Sequence, residues 1–94
     1  NVVEAAVIGL KLGTANYTRD IAATGNVIRD CEFGIAAAAT TAAGTIVLSG
    51  NVVARSKRGA IVAFDDGKPI SQDLLAAGLT SFRNVTLMGN RAER

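Results

Sequence analysis

The chain has no histidine. That removes Ser-His-Asp and Cys-His nucleophilic pairs, and with them the commonest metal ligand. Its single cysteine, Cys31, excludes an internal disulfide and reads as a small buried hydrophobe rather than a reactive thiol. Tryptophan is absent and the aromatics are Tyr17, Phe33, Phe64 and Phe82, so platforms for stacking sugars are scarce and the core must be aliphatic and small. Phe64 and Phe82 are expected inside. Charges or turn residues break every apolar run well short of the roughly 18 residues that cross a bilayer, so no membrane span is expected. Ten basic and eight acidic residues leave +2. The basic ones are scattered, which argues against nucleic acid as a partner. No cofactor or metal is implied.

What the chain does have is a step. Asn1-Val2-Val3, Asn26-Val27-Ile28 and Asn51-Val52-Val53 start 25 residues apart, and Gly9, Gly34 and Gly59 keep that spacing. A fixed period of this length predicts a solenoid, in which each unit buries its apolar face only by stacking on its neighbours. Counting from each Asn, Val3, Ile28, Val53 and then Thr86 form one column, and Leu10, Ile35 and Ala60 form another. Ile21, Ile46 and Leu79 precede the later Asn residues, as do Ala23, Leu48 and Ser81. Period-2 alternation of β-branched residues, with Gly and Asn at the corners, predicts short strands.

The charged positions offer an independent check on register. Glu4 falls over Arg29, Asp30 over Arg55, and Glu32 over Lys57. Stacked strands lie about 4.8 Å apart, so each pair is expected to be a cross-strand neighbour that sets register. Asn1, Asn26, Asn51 and Asn84 are expected to form a ladder of side-chain amides at one corner, with Gly25 and Gly50 marking the turn before it.

The segment 36–44, rich in Ala and Thr, is expected to be a loop. Between Asn51 and Asn84 the step grows to 33, which places an insertion of eight residues within 65–78. Its second part reads as a short helix with Ser71 as N-cap and Gly78 just past its end. In repeat proteins such insertions leave the stack on one face, often the binding face. Asp65, Asp66, Lys68 and Gln72 are thus the candidate interaction residues, and a cap formed by Leu74 and Leu75 is the alternative. The expected fold is one all-β unit over residues 1–94: a right-handed parallel β-helix of three to four coils starting at 1, 26, 51 and 84. Opening on Asn1, the chain is expected to be a segment of a longer β-helix, with upstream coils of the same protein as its first partner.

The pattern Gly-Asn-Val-[Ile/Val] followed by Gly-[Ile/Ala] resembles the right-handed parallel β-helix superfamily of pectate lyases, alginate epimerases and phage tailspikes. The run from Gly50-Asn51-Val52-Val53 through Arg58-Gly59-Ala60-Ile61-Val62-Ala63-Phe64-Asp65, with Lys68-Pro69-Ile70 and Phe82-Arg83-Asn84, looks like the end of the twin-arginine-translocated repeat proteins. The resemblance implies export and a polysaccharide-related setting, and it transfers no catalytic residue. A lyase-like site needs several acidic calcium ligands on one face. No column here stacks two carboxylates. The expected role is therefore a non-catalytic structural or binding segment of an exported protein, with polysaccharide or another protein as partner. The alternative is the last coils of a polysaccharide lyase or epimerase whose active site lies upstream.

Overall fold

The computed structural model describes residues 2–12, 20–39, 44–65, 68–82 and 84–93. The expected ladder position Asn1 and the candidate residue Asp66 lie outside the described residues. The fold is all-β, with no helix among the described residues. Three four-stranded sheets are built by strands taken in turn. Sheet A holds β1 (Val2–Glu4), β4 (Val27–Arg29), β7 (Val52–Ala54) and β12 (Arg91–Glu93). Sheet B holds β2 (Ile8–Leu12), β5 (Phe33–Ala38), β8 (Gly59–Asp65) and the two-residue β9 (Lys68–Pro69). Sheet C runs β3 (Ile21–Thr24), β6 (Ile46–Ser49), β11 (Val85–Met88) and β10 (Ser81–Phe82). All described pairings are parallel except β8 with β9 and β10 with β11.

Local chemistry sets the strand lengths. Gly25, Gly50 and Gly89 take φ of 66°, 65° and 62° immediately before an Asn, a left-handed turn that glycine adopts freely. Ala5, Asp30 and Arg55 take φ of 57°, 58° and 56° just beyond β1, β4 and β7. Each of those strands is therefore stopped after three residues, and the chain turns toward sheet B. The repeated Gly34 answers a different need. Its φ is ordinary, but a Cβ there would lie 2.5 Å from the carbonyl oxygen of Ala60 and overlap Val53.

The 25-residue step is present in the pairing. Val3 pairs with Ile28 and Ile28 with Val53, and the last two are 0% and 1% exposed. Leu10 pairs with Ile35, but Ile35 pairs with Ile61, so the expected inward Ala60 is displaced by one. Arg58 N–H still donates to Glu32 O at 2.7 Å, while Phe33 already faces Gly59. One residue is thus extra at Arg58, as in a β-bulge.

The last round departs further from expectation. Val85 pairs with Ile46, Thr86 with Val47 and Leu87 with Leu48, so the positions assigned to Leu79 and Ser81 belong to Val85 and Leu87. Thr86 does not continue the Val3 column. Ala92 does, opposite Val53. The round therefore opens at Asn90 rather than Asn84, a step of 39 (90−51), so it carries 14 extra residues (39−25) rather than eight, one of them at Arg58 and the other 13 beyond β8. The segment expected as a loop from residue 36 is strand through Ala38, and Ala39 is buried.

One core, containing Ile28, Cys31, Ile35, Ile46, Leu48, Val53, Ile61 and Val85, lies among the three sheets. A second, smaller cluster joins Phe33, Ala36, Val62 and Phe64, with the Phe33 and Phe64 rings edge to face at 5.1 Å. This is why β5 and β8 read as nearly unbroken apolar runs. Both faces of sheet B are buried at these two central strands.

Candidate interaction surface

The insertion was the first candidate, and its geometry is that of a cover over the outer edge of β8. Asp65 ends that strand. The chain then doubles back, with Phe64 opposite Pro69 and Asp65 opposite Lys68. Ile70 N–H donates to Ala63 O at 2.8 Å, and Ser71 Oγ accepts from Ala63 N–H at 2.9 Å. The Asp73 carboxylate accepts from Ala60 N–H at 2.8 Å and from Ile61 N–H at 3.4 Å, while Leu74 N–H donates to Ile61 O at 2.9 Å. Four of the five residues from Ile70 to Leu74 thus satisfy backbone groups along the outer side of β8.

No helix follows. Residues 74–78 form turns in which Gly78 N–H bonds to Leu75 O and Leu79 N–H to Leu74 O, with Gly78 at φ 72°. This is the closing pattern of a helix C-terminus without the helix. The N-cap is also reassigned. Asp73 Oδ1 accepts from Leu75 N–H at 3.1 Å, whereas the hydroxyl of Ser71 serves β8 and donates to Gln72 O. Leu74 is 1% exposed and belongs to the main core, and Leu75 packs against it. Asp65, Lys68 and Gln72 are exposed, and none of them forms an ion pair among the described residues.

The asparagine ladder has three described rungs. Asn26 N–H and Nδ2 both donate to Asn51 Oδ1 at 3.0 Å. Asn51 repeats this with Asn90 Oδ1 at 3.0 and 2.9 Å, and it is fully buried. The polarity is the same at both described steps: the Oδ1 of Asn51 and that of Asn90 accept from the backbone N–H of the rung before. Asn84 is not a rung. Its Nδ2 donates to Ala38 O and Gly44 O at another corner. Asn84-Val85-Thr86 imitates the Asn-Val-Val motif, whereas Asn90-Arg91-Ala92 does not. The usable signal was the preceding glycine, since Gly89-Asn90 repeats Gly25-Asn26 and Gly50-Asn51.

Two of the three expected charge columns are realised. Arg55 grips Asp30 with two bonds at 2.6 and 2.9 Å, and Arg29 lies 3.7 Å from Glu4. The Arg55 hydrogen bonds hold the Asp30 carboxyl below its usual range and raise Arg55 in turn. Glu32 and Lys57 make no ion pair with each other; at the bulge beside Lys57, the Arg58 guanidinium lies 4.7 Å from the centre of the Phe33 ring.

A cleft of about 790 Å³ opens between the insertion and β12, walled by Asp73, Leu75 and Ala76 on one side and floored by Asn90 to Glu93. Sequence reasoning did not find it, because it depends on the true start of the last round. Among the described residues no group of three or more His, Cys, Asp or Glu is placed to hold a metal ion, and no helix is long and apolar enough to cross a membrane. No family model, no curated protein and no solved structure matches the chain.

Proposed function

We propose that this chain is a structural, non-catalytic segment that terminates a right-handed parallel β-helix of the pectin-lyase-like kind. The observation that carries the reading is the insertion bonded along β8. It closes sheet B with an antiparallel strand containing Pro69, which has no N–H to offer a further strand. Sheet C ends likewise in the antiparallel β10. On the opposite side, the edges of β1, β2 and β3 have no described partner, and Val3, Leu10 and Ile21 are only partly buried. Their stacked neighbours Ile28, Ile35 and Ile46 are all 0% exposed. Further rounds laid on that side would give the first round the same burial, which fits upstream coils of the same protein as the partner. An exported, polysaccharide-related setting belongs to the same reading through the resemblance alone.

A chain lacking residues 66–77 tests the terminating role. The expected result is lower stability and association through the exposed β8 edge, read by thermal melting and sedimentation. Unchanged melting of a monomeric deletion variant would refute it. The winding is tested by an experimental structure, in which a left-handed course through sheets A, B and C would overturn the β-helix assignment.

A further inference from the structure

Sheet A ends differently from the other two. Its last strand, β12, has no described partner on its outer edge, whereas the edges of β8 and β11 are closed by β9 and β10. Arg91 N–H donates inward to Asn51 O, and Glu93 O accepts inward from Arg55 N–H, both at 2.8 Å. Strand alternation then turns the N–H and C=O of Ala92 outward, toward the cleft that β12 floors. The asparagine ladder is incomplete at the same place. Asn26 and Asn51 each have a backbone N–H met by the Oδ1 of the next rung, and the Oδ1 of Asn90 already accepts from Asn51. By the ladder's polarity, the next Oδ1 falls beyond Asn90, at the same end as the outward edge of Ala92.

We propose that the β12 edge is a strand-acceptor site for an extended segment of another protein, running parallel to β12, with an Asn on the Asn90 rung and a small aliphatic residue two positions later. Every requirement comes from the rungs below. The Asn supplies the missing Oδ1, the intervening backbone meets Ala92, and the aliphatic side chain continues the Val3, Ile28, Val53 and Ala92 column. Leu75 and Ala76 wall the cleft where that side chain enters. The two arginines there are committed, Arg55 to Asp30 and Arg91 to Glu93, so the site selects by backbone and amide bonding rather than by net charge. Main-chain pairing gives such strand addition its affinity, and the side-chain positions give it specificity. The site goes beyond the terminating role, which rests on sheets B and C.

The probe is a capped peptide Gly-Asn-Val-Val-Ala, copied from residues 50–54, titrated into isotope-labelled protein and followed by NMR. Saturable shifts are expected at residues 75–76 and 90–93. Replacing the peptide Asn by Ala should weaken binding about tenfold, the equivalent of one well-made hydrogen bond. Ala92→Pro removes the outward N–H and is tolerated on an edge strand, so it should abolish binding while leaving the amide shifts of residues 27–29 in place. Leu75→Asp is the second variant, and it should weaken the peptide by spoiling the wall. Absence of saturable shifts, equal binding of the Ala peptide, or binding indifferent to Ala92→Pro would each overturn the proposal. Peptide-free self-association that Ala92→Pro abolishes would give the edge to a second copy of this chain and overturn the assignment to another protein.

Discussion

Asp30 and Arg55 occupy equivalent left-handed turns one round apart and form a two-bond ion pair across the stack. Because Asp30 titrates below its usual value of 3.8, it stabilises the fold at pH values above about 4, and the contribution is lost as pH falls through the lowered value. Carboxyl NMR titration should find Asp30 low in the native chain and back near the ordinary value in Arg55→Ala; an unchanged titration would break the assignment. Both side chains are exposed, so salt should reduce the shift. Two kinds of glycine also separate at this scale. Gly50 sits at φ 65° with open space around it, so Gly50→Asn should cost well under about 1 kcal/mol. Gly34 is hemmed in by Val53 and the Ala60 carbonyl, so Gly34→Asn should cost about 2 kcal/mol or more by denaturant melting. Equal losses at the two sites would refute this distinction. The sequence alone marks both glycines as periodic but cannot separate them, since one answers a backbone angle and the other a contact with the next round.

At the level of elements, the insertion behaves as a cover whose polar and apolar parts act together. Asp73 serves Ala60 and Ile61 while its neighbour Leu74 enters the core, so each fixes the position of the other. Leu74→Ala should cost about 2–4 kcal/mol and Asp73→Ala about 1–3 kcal/mol, by lost burial and by unpaired amides respectively. The double variant should fall short of the sum, and strict additivity in a double-mutant cycle would mean that the two do not share one cover. The sequence locates this element but not its form. Ser71, Asp73 and Gly78 carry helix-end chemistry, yet Ser71 and Asp73 are drawn off to the free edge of β8, leaving one turn where a helix was expected. Register was legible wherever the step held, as Ile28 between Val3 and Val53 attests. It failed at Arg58 and beyond Asp65, where added residues shift later pairings without altering the apolar alternation that revealed the step.

On the scale of the whole molecule, the two ends of the stack are unlike. One carries Pro69, two antiparallel strands and the charged β12; the other presents β1, β2 and β3, with Val2 58% exposed and half-buried Val3, Leu10 and Ile21 behind it. Unpaired parallel edges over an apolar interior are templates for further strands. The 94-residue chain in isolation should therefore associate as its concentration rises, through the β1 side, with sedimentation velocity as the measurement. The equivalent Val52 N–H donates back to Asn26 O, so the N–H of Val2 points outward, away from β4, with no described acceptor. Val2→Pro removes that donor at a position where an edge strand tolerates proline, and it should weaken association without lowering the melting temperature of dilute protein. Ala92→Pro, at the other end of sheet A, should leave association through the β1 side unchanged. A chain that stays monomeric at high concentration, or one whose association ignores Val2→Pro, would show that the unpaired side does not seek further rounds.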